Sequence, residues 1–305
     1  MLSVCIPVHN TNITQLLMEL SRQAQVFSGQ VEIIVVNDGS TVPIIEKTAM
    51  FDHIRIFTHS MPLGRSVARN RLMLEAKGPY LLMLDAGSEV IQFNFIEAWL
   101  NVIEHEPAEV YYGGSQYPSR PDDDSRYLRW KVSSIRESQP IEIRKKRATS
   151  FKTNNTVIHK SVFEKLQFDE SMVGYGHEDT LFGFELTQLG IKVRQVDIPV
   201  MNQLKDTNES FMNKTDSAIE NLVMASQKAS SKVRFQQQVR LFKVYETFRK
   251  WRLLFLLDVL DKMMTNELRR QLVKPNKFML VVKYDVYKIL RLRQLLKRQA
   301  LKFLQ

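Results

Sequence analysis

Four acidic positions stand out because each falls where an apolar run begins or ends. Asp38 follows the β-branched run 32–37 and precedes Gly39-Ser40. Asp85 follows the apolar run 80–84, and Glu178 and Asp179 open an apolar, helix-like stretch. A carboxylate so placed can take up a proton, hydrogen-bond a ligand or help hold a hard cation. Each also has an ordinary structural use, since an Asp before Gly shapes a turn and an acid at a helix start caps it. Arg69-Asn70 lies in a helix-like segment, 64–76. An arginine there can pair with a phosphate or neutralise Asp38 or Asp85. Arg65 in the same segment reads as a solvated helix residue.

The elements that must position these residues alternate. Residues 2–8 read as a strand, and 14–25 as a helix with Leu16, Leu17 and Leu20 on one side. Residues 32–37 and 54–57 read as strands, 64–76 as a helix and 80–84 as another strand. Such alternation predicts a doubly wound, mostly parallel sheet, in which ligands bind beyond the carboxyl ends of the strands. Asp38 and Asp85 both fall at such ends. Residues 113–155 carry Pro118, Pro121, the run Asp122-Asp123-Asp124 and a basic cluster from Arg144 to Arg147, and are expected to be loops. Ordered patterns return as helices at 160–165 and 179–189 and a strand at 192–196. From 216 to the end the pattern is helical, with no glycine after Gly190.

With 305 residues and 44% apolar side chains, the chain can build a sizeable core. A lone cysteine, Cys5, inside an apolar run forms no internal disulfide and fits a reducing compartment. The first residues read as a strand, not a secretory leader, and no apolar run in the tail is long enough to span a bilayer. Charge is unevenly placed: 24 Lys+Arg against 28 Asp+Glu in residues 1–231, but 19 against 5 in 232–305. That last quarter suits an anionic membrane surface, with Trp251 and Phe255 beside Arg249, Lys250 and Arg252, and with Val282, Val286, Ile289, Leu290 and Leu296 tracing a helical face. A small helical bundle, including a homo-oligomer contact, is the other reading. No nucleic-acid motif accompanies the charge, and no Gly-x-Gly-x-x-Gly follows the first strand, which argues against a nucleotide oxidoreductase.

Five segments in order, LSVCIPVHN, EIIVVNDGS, GRSVARN, LLMLDAGSE and GYGHEDTLFG, resemble the motifs of family 2 glycosyltransferases over about residues 1–225. The later Tyr112-Gly113-Gly114, Leu128-Arg129-Trp130 and Thr153-Asn154-Asn155 are similar to a subgroup among bacterial surface-polysaccharide enzymes. The resemblance implies a GT-A fold, an α/β Rossmann-like nucleotide-diphospho-sugar transferase with a mixed, mostly parallel sheet. Here that is a domain at 1–225 carrying a basic helical extension at 226–305. It implies inverting transfer from a nucleoside-diphosphate sugar, UDP-linked, to a glycan or lipid-linked acceptor. In such chemistry a carboxylate removes the acceptor proton and positive charge steadies the departing diphosphate. By resemblance Asp38 meets the base or ribose, and Pro7, Val8 and His9 wall the pocket. Arg69 and Asp85 lie by the phosphates, and Asp179 is the general base. Glu178 orients its loop or binds the acceptor, with His177 and Trp130 on the acceptor side; Trp130 is taken as a loop aromatic that stacks on a sugar or packs in a core. The expected location is cytoplasmic, peripheral on the inner membrane face.

Two positions depart from the family pattern. Its metal motif is two aspartates one residue apart; this chain has Asp85-Ala86-Gly87. A histidine is expected near 202, where Asn202 stands. Asp85 alone then remains to meet Mn²⁺ or Mg²⁺, with Glu89 at an unfamiliar spacing. A metal-free site would use cations instead, for which Arg129 and Arg144 to Arg147 are available. The alternative is a non-catalytic relative acting as a scaffold or partner-binding protein.

Overall fold

The computed structural model describes residues 1–46, 53–121, 123–146, 151–274 and 277–302. The chain runs β1 (Leu2–Val8), α1 (Thr14–Ala24), β2 (Val31–Asn37), β3 (Arg55–Thr58), α2 (Arg65–Glu75), β4 (Tyr80–Met83), β5 (Ser88–Glu89) and α3 (Phe95–His105). Then come β6 (Val110–Tyr112), β7 (Ser115–Gln116), α4 (Tyr127–Arg136), α5 (Ile141–Lys145), β8 (Thr156–His159), α6 (Lys160–Lys165), α7 (Glu178–Gln188), β9 (Val193–Gln195) and β10 (Val200–Asn202). Five helices finish it: α8 (Asn208–Lys228), α9 (Lys232–Gln238), α10 (Arg240–Lys250), α11 (Leu254–Val273) and α12 (Leu280–Lys302).

Two compact units divide the chain. The first is Met1–Pro118, Arg136–Val173 and Glu185–Gln203; the second is Ser119–Ile135, Gly174–Phe184 and Leu204–Gln305. The first unit is built on a seven-stranded sheet ordered β3-β2-β1-β4-β8-β6-β9. Only β8 runs against its neighbours. A near-continuous apolar run suits a strand covered on both faces, and β1 lies inside the sheet between β2 and β4 with Leu2, Val4, Cys5 and Ile6 fully buried. Leu16, Leu17 and Leu20 of α1 are buried, as their spacing predicts. From β1 the chain steps outward to β2 and β3, then returns to β4 on the other side of β1, which places the topological switch point between β1 and β4. A small second sheet, β5-β10-β7, sets Asn202 opposite Ser88.

The second unit is a helical bundle in which α8, α10 and α11 pack on α12. Buried Tyr284 and Tyr287 have their hydroxyls satisfied, Tyr284 by Thr215 Oγ1 at 3.0 Å and Tyr287 by donating to Asp216 at 2.8 Å. Asp216 also accepts from Arg269 and Arg291. Burial and the Asp216 carboxylate push the Tyr287 phenol up to about 12.

Two expectations are corrected. The stretch 113–155 is not all loop: it holds β7, α4 and α5, and Trp130 sits on α4, half-buried against Tyr127 with ring centroids 5.3 Å apart. Leu128 and Val132, four apart, bury one face of α4 and fix it as a helix. The apolar face of α12 holds at Ile289 and Leu290, which are buried, but Val282 is exposed, Val286 and Leu296 are half-buried, and Tyr284 and Tyr287 take further buried positions. Trp251 and Phe255 are both exposed. Asp122 and Arg147 lie outside the described residues.

Candidate functional site

Beyond the ends of β1 and β2 the two connecting loops are tied together. The Asp38 N–H donates to the Val8 carbonyl at 2.7 Å, extending the ladder by one residue. His9 Nδ1 is 2.7 Å from the Asp38 carbonyl, so this nitrogen carries the proton, and Nε2 accepts from Asn10 at 3.1 Å. The Asn10 N–H donates to Ser40 Oγ, and its side-chain oxygen accepts from the Thr41 N–H. Pro7 is half-buried, Val8 buried and His9 exposed. Asp38 is itself buried, and its carboxylate faces the segment 59–64. Oδ1 lies 2.8 Å from His59 Nδ1 and accepts from the Leu63 N–H at 2.9 Å; Oδ2 accepts from the Gly64 N–H at 2.9 Å. Gly39 is required between them: its φ is +60°, and a Cβ there would sit 2.3 Å from the Met61 carbonyl carbon.

At the end of β4, Asp85 is half-exposed, and its carboxylate lies 3.4 Å from the buried Arg69 guanidinium. Arg69 packs over the Phe168 ring. The adjacent Asn70 clamps the same segment, donating to the Phe168 carbonyl at 2.9 Å and accepting the Phe168 N–H at 3.0 Å. An amide chain holds the Asp85 turn. Buried Asn154 accepts with Oδ1 from the Asp85 N–H and from Ser88 Oγ, both at 2.9 Å, and donates with Nδ2 to Asn202 Oδ1 at 2.8 Å. Asn155, at φ +60°, joins its neighbours by donating to the Gly114 and Ile198 carbonyls.

This arrangement does not fit a divalent cation held by protein ligands. Asp85 is already partnered by a guanidinium, Asn202 offers a neutral oxygen spent on Asn154, and exposed Glu89 accepts from Gln203 at 2.7 Å. Among the described residues no three His, Cys, Asp or Glu side chains gather as a ligand set. A Cβ on Gly87 would meet nothing within 4 Å, so the place of the missing carboxylate is open space. Arg144 is not available as a replacement cation. It is buried, donating to the Gln139, Tyr112 and Val196 carbonyls and to Gln195 Oε1, with burial pulling its pKa down.

Trp130, His177, Glu178 and Asp179 belong to the second unit. Gly174, Gly176 and His177 all have positive φ, and this bent loop delivers the two acids to the first turn of α7. It hangs on α8: Tyr175 N–H donates to Ser217 Oγ and Asn221 donates to the Gly176 carbonyl. The Leu181 N–H donates to the His177 carbonyl at 3.0 Å, starting the helix. His177 Nδ1 is 3.0 Å from Thr180 Oγ1, which lies 3.4 Å from Asp179 Oδ1. Glu178 is buried and Asp179 half-buried.

Residues 3–167, over half of the chain, match the family model described as Glycosyl transferase family 2. The chain belongs to this family. Within the family it is 37% identical over 93 residues to the uncharacterized glycosyltransferase YibD of Escherichia coli K12, a match spanning 29% of this chain and 26% of YibD. The fold is similar to S. aureus TarS 1-349, with TM-score 0.52 and 16% identity over 98% of this chain and 91% of that one. TarS 1-349 has also been crystallised with UDP and with UDP-GlcNAc. It is similar too to the mannosyltransferase PcManGT from Pyrobaculum calidifontis in complex with GDP-Man and Mn²⁺, with TM-score 0.55 and 12% identity over 94% and 85% of the two chains. The GT-A fold expected from the motifs is the fold observed, and of the two functions left open by the sequence, the transferase is the one the family match supports.

In this family 2 glycosyltransferase the first unit gathers Pro7, Val8, His9, Asp38, Arg69 and Asp85 at the carboxyl ends of β1, β2 and β4. Sequence reading missed the partners that hold them: His59 on Asp38, and Asn154 on Asp85. The Asn pair 154–155 carries the one available signal, since asparagine is among the few residues that readily take positive φ.

Proposed function

We propose that the chain transfers a sugar, with inversion, from a UDP-linked donor to a glycan or lipid-linked acceptor of surface-polysaccharide synthesis. The observation that carries this reading is the convergence of the His9, Asp38 and Asp85 loops at the switch point between β1 and β4. Pro7, Val8 and His9 wall the nucleotide pocket, and Asp38, with lone-pair capacity left on Oδ2, meets base or ribose. Arg69 and Asp85 lie towards the phosphates. Asp179 takes the proton from the acceptor hydroxyl, whose oxygen attacks the anomeric carbon as the bond to the diphosphate breaks. Glu178 orients the loop, and His177 and Trp130 line the acceptor side.

Transfer in this reading runs without a tightly held metal. Arg69, 3.4 Å from Asp85 at the strand ends, is the guanidinium this reading assigns to the departing diphosphate, with Asp85 offsetting part of its charge. We take residues 1–225 as the transferase domain and 226–305 as an extension that attaches the chain to the cytoplasmic face of an anionic membrane. Among the described residues no helix is long and apolar enough to cross one.

Asp179→Asn tests the assignment, since it keeps shape and removes the proton acceptor. Transfer from UDP-sugars falls by about 10²–10⁴-fold, while UDP affinity by calorimetry in EDTA stays within about twofold. Near-normal turnover in the variant removes Asp179 from the base role.

A further inference from the structure

Helix α11 is apolar on two opposite sides. One side, Leu257, Leu268 and Leu272, is buried in the bundle. The other is a stripe of Phe255, Leu256, Val259, Leu260 and Met263, all exposed, with Met263 at 75%. At 100° per residue these five fall within about 140° of the helix surface, so they form one band and not scattered points. A second apolar face on a helix marks a second apolar surrounding.

The band continues into the corner between α10 and α11. There Trp251 is 69% exposed. The corner is a built turn: the Trp251 N–H donates to the Thr247 carbonyl at 3.1 Å, the Arg252 N–H to Arg249 at 3.1 Å and the Leu253 N–H to Phe248 at 2.8 Å. Arg252 itself sits at φ +57°. The turn's main chain is therefore fixed, and the indole it carries faces solvent. Arg249, Lys250 and Arg252 flank it in the chain, with Arg249 paired to Glu246 at 2.6 Å, and Lys262 lies one residue before Met263 of the band. Beside the same corner, Lys243, Arg249 and Lys250, together with Glu246, line an open hollow of about 630 Å³ between α9 and α10.

We propose that this edge, Trp251 with the exposed band of α11, seats in the headgroup layer of an anionic lipid bilayer, the cations taking lipid phosphates and the side chains entering the acyl boundary. Tryptophan is favoured at that depth, where its ring is buried and its N–H remains wet. A basic rim around an apolar band matches an anionic surface. A second copy of this chain fits poorly, because a two-fold contact on this edge would set like charges against each other. The proposal rests on the reading of 232–305 as the attaching segment and narrows it to one edge.

The test uses the full chain with vesicles of phosphatidylcholine alone and of phosphatidylcholine mixed with phosphatidylglycerol. Wild type co-sediments with the mixed vesicles, and the double variant Trp251→Ser/Phe255→Ser loses at least about tenfold in partitioning. Both positions are exposed, so the variant's thermal transition stays with that of wild type. Of the three tryptophans Trp99 is fully buried and Trp130 half-buried. A vesicle-induced blue shift in emission that disappears in Trp251→Phe assigns the inserted ring directly. If wild type binds mixed vesicles and the double variant binds equally, the edge is wrong while attachment through 232–305 stands. If wild type binds neither kind of vesicle, both readings fall. Equal binding to both kinds overturns the anionic preference, and an edge that instead mediates a dimer, lost in the double variant without any vesicle binding, overturns the proposal.

Discussion

Asp38 shows how much one side chain is asked to do. Its carboxylate receives Leu63 and Gly64 N–H groups and lies beside His59, so it fixes the segment that leads into α2. Buried donors that lose their acceptor cost about 1–3 kcal/mol each. Asp38→Asn keeps one carbonyl oxygen but sets an amide against one of these donors. We expect a loss of about 1–3 kcal/mol in urea unfolding, together with weaker UDP binding in calorimetry. Unchanged stability would contradict the loop contacts; unchanged affinity would remove Asp38 from the pocket. Gly87 is the opposite case, a position with room to spare. Gly87→Asp introduces a carboxylate two residues from Asp85 without a clash, and Asn202→His adds an imidazole at the cost of the bond from Asn154. We expect Mn²⁺ to leave UDP affinity of the wild type within about threefold and to raise that of the double variant at least about tenfold. Strong Mn²⁺ dependence in wild type would overturn the metal-free reading and point to Glu89.

At the level of elements, Tyr287 couples the bundle to pH. The unfolded phenol titrates near 10, whereas in α12 burial and Asp216 hold it up to about 12. Below pH 10 both states keep the proton and the full contribution is present. As pH rises from 10 to 12 the unfolded state sheds the proton first, so stability falls, and it is lost as pH passes the folded value. We expect Tyr287→Phe to flatten the fall in stability over this window by about 1–3 kcal/mol, read from melting curves of the two proteins. The elements differ in how legible they are. Five strands of the first unit, β1 to β4 and β9, were legible as short apolar runs that stop at a polar residue, as 2–8 and 80–84 do, whereas β6 and β8, three and four residues long, and the short strands of the second sheet were not. Helix α4 was hidden because its one buried pair, Leu128 and Val132, is flanked by prolines and a charge run that mimic a loop. The hydrogen bonds that position the site were not legible at all: Asn154 and Asn202 are 48 residues apart, and Asp38 and His59 are 21 apart. Only the fold brings such polar pairs together, and no periodicity encodes them.

On the scale of the molecule, the basic excess of 232–305 is partly internal. Arg269, Arg291 and Arg293 are spent on Asp216 and Asp258 within the bundle. Helix α12 also buries α8 side chains, with Tyr284 stacked on Phe211 at 5.5 Å, so this segment is not a detachable tail. Burial inside the sheet has another consequence. Cys5 is the chain's single thiol, wholly enclosed in β1, and burial pushes its pKa well above the ordinary range. A thiol reagent therefore reacts only when the sheet opens, and its rate times that opening with no engineered label. UDP seated at the ends of the same strands must close the sheet further, slowing Cys5 modification about tenfold when UDP is near ten times its dissociation constant. Modification at the same rate with and without saturating UDP would mean that the nucleotide does not bind this sheet. The lone cysteine thus makes the native chain its own clock for donor binding, read by a colour change and requiring no knowledge of the sugar or the acceptor.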